Sequence, residues 1–108
     1  MHIYGLTETY GPMTTSGVHP EWEELEMDER ARLMARQGQG YTTADLVRVV
    51  DENMNDVDRD GETMGEIVMH GNMVAKGYFE NESATRAAID ADGWLHTGDL
   101  GAMDGRGY

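Results

Sequence analysis

Tyr4-Gly5-Leu6-Thr7-Glu8-Thr9 gathers an aromatic ring, a glycine, a hydroxyl and a carboxylate into one short stretch. Each of these residue types answers one need of a nucleotide. The ring offers a stacking face for a purine, and the glycine lets backbone approach closely. The hydroxyl can donate to a phosphate oxygen, and the carboxylate can hold Mg2+ beside the phosphates. A second stretch, Gly65-Glu66-Ile67-Val68-Met69-His70-Gly71 followed by Gly77-Tyr78, reads as a strand bounded by glycines, with no catalytic role required. In a third, Gly93-Trp94-Leu95-His96-Thr97-Gly98-Asp99, a carboxylate follows a glycine at a strand end. There it can accept two hydrogen bonds from a ribose diol. Taken singly, each stretch is also what an ordinary polar turn or strand end looks like.

Such residues work only if regular elements hold them. Residues 1–19 carry three of the 14 glycines, one of the two prolines and a cluster of threonines, the texture of a loop that follows a strand. Residues 21–37 contain neither glycine nor proline and are rich in helix formers, with Trp22, Leu25, Leu33 and Met34 as apolar anchors. One broken helix or two short ones are expected, with Asp28 as a cap and Gly38 as the terminating glycine. Residues 38–43 read as a linker. Leu46-Val47-Arg48-Val49-Val50 is a β-branched strand signal, and Glu66 to Met69 reads as the returning strand, ended by Gly71. Between them lie turn-prone residues with an Asp60-Gly61 turn. Asn81 caps an expected helix over 82–90, Asp92-Gly93 turns the chain, and Trp94 to Thr97 extends it again. Residues 104–107 form a last turn. The expected class is α+β: short antiparallel strands with two helical insertions.

Composition narrows the partners. The 108 residues include 21 Asp and Glu against 8 Lys and Arg, for a net charge of −13. Nucleic acid attracts the opposite surplus, so it is not expected as a partner. No apolar run approaches the ~18–20 residues of a membrane span, and the opening residues lack the pattern of a secretory signal. Without cysteine there is no disulfide framework and no thiolate chemistry. The expectation is a cytoplasmic protein. Lys76 is the single lysine, beside seven arginines and ten aspartates. That balance fits a halophilic source, in which molar salt screens the self-repulsion. It also fits an acidic segment whose counter-charges lie elsewhere in a longer chain.

The order and spacing of the three stretches resemble the adenylate-forming superfamily of acyl-CoA synthetases, luciferases and peptide-synthetase adenylation domains. Asn81-Glu82-Ser83-Ala84-Thr85 also looks like its helix after the Gly-Tyr pair, although Glu82 stands where many members have proline. The extended Thr7-Glu8-Thr9-Tyr10-Gly11-Pro12, with the Trp22-containing insertion, is most similar to the medium-chain acyl-CoA synthetase branch. The resemblance implies an ATP-dependent, AMP-forming ligase that activates a carboxylic acid, of the fatty type, and passes it to coenzyme A. It implies ATP and AMP, Mg2+ and coenzyme A as ligands, and carries no implication for oligomeric state. By the same resemblance Tyr4 and Gly5 would lie at the adenine, Thr7 at the α-phosphate and Glu8 on Mg2+, with Thr7 and Glu8 the catalytic pair. Asp99 would hold the ribose hydroxyls, and Gly11 would wall the acyl pocket. The family's phosphate loop and its lysine-bearing mobile domain are not in these residues, and Lys76 matches neither. The chain therefore reads as a slice of the large N-terminal domain. Residues 1–19 would be the end of the nucleotide-binding sheet with its loop, 20–37 a helical insertion, and 44–108 a β-rich, distorted barrel-like subdomain. The competing class is a non-catalytic acidic module that binds a cation or a protein.

Three further features read as structural. Asp56-Val57-Asp58-Arg59-Asp60-Gly61 matches the first half of an EF-hand loop, but its twelfth position is Ile67 where a bidentate acid is required, so an acidic turn is expected. His70 and His96 read as strand-packing histidines. Met69, Met73 and Trp94 read as core.

Overall fold

The computed structural model describes residues 1–41 and 46–108. Two antiparallel three-stranded sheets carry the fold. In the first, β1 (His2–Tyr4), β2 (Thr14–Ser16) and β3 (Gln39–Gly40) pair in that order, with Tyr4 opposite Thr14 and Thr14 opposite Gly40. In the second, β4 (Leu46–Val50), β5 (Gly65–His70) and β6 (Leu95–Gly101) do the same. Val47 faces Met69, and Met69 faces Leu95. The class is α+β, as expected, and β4 spans the five residues that its β-branched run marks out.

The first sheet departs from expectation in two places. A strand, β2, lies inside the presumed loop 1–19, and another, β3, inside the presumed linker 38–43, of which residues 42 and 43 lie outside the described residues. Both strands are too short for any periodicity to show in sequence. They exist because the pairing is non-local. Buried Thr14 also donates its hydroxyl to the Gln37 carbonyl at 2.7 Å, which draws the chain after the helix back onto the sheet.

The helical insertion is a 3-10 turn at Pro20–Trp22 followed by α1 (Met27–Met34). Asp28 is not its cap: the helix opens at Met27, and Asp28 lies in the first turn, where its charge suits the N-terminal dipole. Of the four anchors only Trp22 is buried; Leu25 and Leu33 are half-buried and Met34 is exposed. Nor does Gly38 end the helix, which closes at Ala35. Gly38 has φ +89°, and a Cβ there would sit 2.0 Å from the Thr15 carbonyl oxygen. It is the point where the chain closes on the backbone of β2 to enter β3. By contrast, Asn81 caps α2 (Glu82–Ala88) as expected, accepting the Ala84 N–H at 3.1 Å.

The core lies between the Tyr4–Met13 loop and the second sheet. Met13, Met69 and Leu95 are its buried centre, with Leu6, Val47, Ile67, Met73, Val74, Ala88 and Ile89 packed against them. Methionine suits such a seam, because its unbranched, polarizable side chain fills irregular gaps. Trp94 is only half-buried, at the margin of the core. The Arg48 guanidinium lies 4.8 Å from its ring centroid and the His70 ring 5.1 Å away. A second anchor ties the helical insertion to the end of the chain. Arg36 donates to Asp104 at 2.8 Å and lies over the Tyr108 ring at 4.7 Å, while His19 hydrogen-bonds the Tyr108 hydroxyl. Among the described residues no helix is long and apolar enough to cross a membrane.

Candidate functional site

The loop between β1 and β2 is built around Thr9, a residue to which sequence reasoning assigned no role. Its buried hydroxyl accepts the Leu6 N–H at 3.1 Å and lies 3.0 and 2.9 Å from the Leu6 and Gly11 carbonyl oxygens. That fold-back brings Gly5 against Gly11. A Cβ on Gly5 would stand 2.8 Å from the Gly11 carbonyl oxygen, so the close approach requires glycine there. Gly11 itself abuts Met73, whose Cε would be 3.2 Å from an added Cβ. The loop is sewn by backbone to the segment that follows β5. Tyr10 donates to the Met73 carbonyl at 2.8 Å, and Ala75 donates to the Glu8 carbonyl at 2.7 Å. Thr7 stays exposed at the tip.

Asp99 is delivered from the other end of the chain by a bulge. His96 pairs with Val68, and the next pair is Leu100 with Glu66, so Thr97, Gly98 and Asp99 stand opposite Ile67 alone. Bulges bend a strand and re-aim its side chains. Thr97 holds this one, donating its hydroxyl to the Ile67 carbonyl at 2.6 Å and accepting the Asp99 N–H at 3.1 Å. Gly98, at φ +74°, supplies the left-handed residue and donates its N–H to Glu66 at 3.1 Å. A glycine inside a strand pattern was the available sequence signal.

Loop and bulge meet. The Tyr4 hydroxyl donates to Asp99 Oδ2 at 2.6 Å. Partial burial, and then the negative charge and hydrogen bond of Asp99, push the Tyr4 phenol up to about 12. It is therefore a firm donor at neutral pH. A parallel pair lies at Glu8, whose Oε1 accepts the Tyr78 hydroxyl at 2.6 Å. That bond is the main reason the Glu8 carboxyl sits below its ordinary range, so it is anionic at neutral pH. Nothing in the sequence marked Tyr78 beyond its place after Gly77.

Several other acidic groups are engaged in structural bonds. His96 lies between two carboxylates, with Nδ1 2.8 Å from Glu66 and Nε2 3.4 Å from Asp90. The Glu66 bond foremost raises its pKa, against the opposing effect of burial. His70 instead packs on Trp94. In the acidic turn, Asp56 accepts from Arg48 at 2.6 Å, and Asp60 accepts the Thr63 hydroxyl and the Thr63 and Glu62 N–H groups. Among the described residues no three His, Cys, Asp or Glu side chains gather into a metal cage. A lone carboxylate such as Glu8 would leave most of a cation's shell to water and to oxygen atoms of a bound ligand. Mg2+ is commonly held that way, by one or two carboxylates and substrate phosphates.

Comparison with known proteins bears on this arrangement. A family model described as AMP-binding enzyme matches residues 1–79. The chain belongs to the AMP-binding enzyme family. It is 50% identical over 108 residues to an acetate–CoA ligase of Humulus lupulus, covering 99% of this chain and 19% of that protein. It is 47% identical over 100 residues to a peroxisomal acetate/butyrate–CoA ligase of Arabidopsis thaliana, covering 92% and 17%. The crystallised O-succinylbenzoate coenzyme A synthetase of Bacillus subtilis, in complex with ATP and magnesium ion, superposes with a TM-score of 0.72 at 29% identity. That match covers 98% of this chain and 19% of the other. The chain thus spans about a fifth of the length of the curated relatives it matches. In this chain, Tyr4, Gly5, Gly11, Glu8 and Asp99 are held by one loop, one bulge and the backbone that joins them. Thr7 is carried on the same loop.

Proposed function

We propose that this chain is part of the large domain of an ATP-dependent, AMP-forming acid–CoA ligase, and that Tyr4 and Asp99 hold its nucleoside. The observation that carries the reading is the 2.6 Å bond between them, which joins the aromatic side chain and the Asp99 carboxylate at one point of the surface. Residues 1–19 form the adenine and phosphate loop with its sheet, 20–37 the helical insertion, and 44–108 the β-rich part, whose first two residues lie outside the described residues.

In the reaction, a carboxylate oxygen of the acid bonds to the α-phosphorus of ATP, and the bond to pyrophosphate breaks. The thiol of coenzyme A then takes the acyl group, and AMP departs. Making the adenylate turns a poor leaving oxygen into a good one. The residues of this chain position the reactants. The Tyr4 ring lies beside adenine, and the close backbone at Gly5 and Gly11 leaves room for it, Gly11 also facing the acyl side. Asp99 accepts from the ribose hydroxyls. Thr7 donates to the α-phosphate, and the anionic Glu8 takes Mg2+. When bound, Mg2+ neutralises phosphate charge. Acetate and butyrate, the acids in the relatives' names, favour a short acid over the fatty acid that the resemblance to the medium-chain branch implied.

Pyrophosphate exchange with the full-length enzyme tests the reading. Acetate and butyrate should support exchange above octanoate, and Glu8→Gln should slow it while leaving ATP binding largely intact. The 108 residues alone, which carry no phosphate loop, should show none. Wild-type exchange in Glu8→Gln would refute the assignment of Glu8.

A further inference from the structure

We propose that Tyr78 is a positioning residue for Glu8, holding that carboxylate in the orientation in which it takes the cation. The inference rests on the reading of Glu8 as the Mg2+ carboxylate, and goes beyond it by naming the group that presents the ligand. Glu8 is gripped twice by one segment. Ala75 donates to its backbone carbonyl at 2.7 Å, and Tyr78 donates to its Oε1 at 2.6 Å. Thr9 beside it bridges to Val74. Backbone and side chain of the glutamate are thus held against residues 74–78.

Tyr78 is itself anchored. Its N–H donates to the Thr85 hydroxyl at 2.9 Å, and that hydroxyl donates to the Asn81 carbonyl at 2.8 Å, in the first turn of α2. Gly77 has φ +155°, and a Cβ there would meet Thr85 Cγ2 at 2.6 Å, so the approach to α2 is close. A line of bonds therefore runs from the helix cap to the glutamate. A glutamate side chain with no partner samples several rotamers, and ordering them on binding costs affinity. The tyrosine orders the side chain beforehand. It uses one oxygen, and an ionised carboxylate retains acceptor capacity on the other for a hard cation. Partners that orient a ligating group in this way commonly tune metal affinity about 10–100-fold.

The test uses the full-length enzyme and α,β-methylene-ATP, a non-hydrolysable probe, with binding followed by calorimetry across a Mg2+ titration. Tyr78→Phe removes only the hydroxyl. It should move the Mg2+ midpoint upward by roughly tenfold, with the melting temperature and the probe affinity at saturating Mg2+ unchanged. Glu8→Ala should move the midpoint further, and Tyr78→Phe added to Glu8→Ala should do nothing more. If Glu8→Ala moves the midpoint and Tyr78→Phe does not, the positioning role is wrong while the assignment of Glu8 stands. If neither moves it, that assignment fails and takes the positioning role with it. If Tyr78→Phe lowers the melting temperature and weakens the probe equally at all Mg2+ concentrations, Tyr78 is merely structural, which also overturns the proposal.

Discussion

The Tyr4 hydroxyl reaches Asp99 Oδ2 at 2.6 Å from 95 positions away in sequence. It occupies one of the two oxygens that a ribose diol would use. On the proposed reading a nucleoside would share or displace this bond, so the two residues should have separable effects. In the full-length enzyme, Asp99→Ala should raise the ATP KM on the order of ten- to a hundredfold, because a charged acceptor for two hydrogen bonds is lost. Tyr4→Phe keeps the ring and frees the carboxylate, so the KM should change by less than about threefold. Steady-state kinetics at saturating Mg2+ would decide. An unchanged KM in Asp99→Ala would refute the ribose assignment.

Two glycines with positive φ differ in their surroundings, and their alanine variants should differ accordingly. At Gly38 an added Cβ would collide with the Thr15 backbone at 2.0 Å, whereas at Gly98 it would meet nothing within 4 Å. Gly38→Ala should cost about 3 kcal/mol or more, since backbone must move. Gly98→Ala should cost only the left-handed penalty of about 1–2 kcal/mol. Denaturant unfolding of both variants measures the gap, and equal losses would contradict the close approach at Gly38.

Asp104 anchors the helical insertion. Burial would raise its carboxyl, but the Arg36 guanidinium and the N–H groups of Tyr108 and Arg106 outweigh this and hold it at about 2, against an ordinary 3.8. A depressed carboxyl contributes stability that is present above its unfolded value and lost as pH falls through its folded value. Asp104→Asn should therefore cost about 2 kcal/mol near neutral pH, a loss that fades between about pH 4 and pH 2. A difference independent of pH would show that the charge is not responsible.

His96 works in the opposite sense. Its pKa is raised above 6.5, first by Glu66 and further by Asp90. A raised histidine contributes stability that is full below about 6.5 and lost as pH rises through the folded value. The melting advantage of wild type over His96→Gln should be largest near about pH 6 and shrink toward about pH 9. Should it grow instead, the histidine is held neutral.

Salt should act on the chain as a whole. If the net charge of −13, with a single lysine, is an adaptation to molar salt, screening should stabilise the folded chain. Screening shortens the reach of repulsion to about 3 Å at 1 M. The folded fraction, followed by circular dichroism, should rise from low salt to molar KCl. A melting point indifferent to KCl would leave the acidity without that explanation.

Local chemistry accounts for what could be read in advance. The β-branched run of β4, the asparagine cap of α2 and the turn at Asp92-Gly93 each act over a few neighbouring residues, so residue type announces them. The motifs that carry Tyr4, Thr7, Glu8 and Asp99 marked the family for the same reason, through residue type and order along the chain. What no local signal carried was pairing. The strands β2 and β3 exist because Thr14 meets Tyr4 and Gly40 across long loops. The segment that carries Gly38 leads into a strand because the backbone of β2 lies close beside it. The bulge at Thr97 to Asp99 arises from the register with β5, and only it brings Asp99 to Tyr4. Tyr78 met Glu8 through contacts 70 residues apart. Side-chain type is written locally and partner choice is not, because register and burial depend on every element that packs at once.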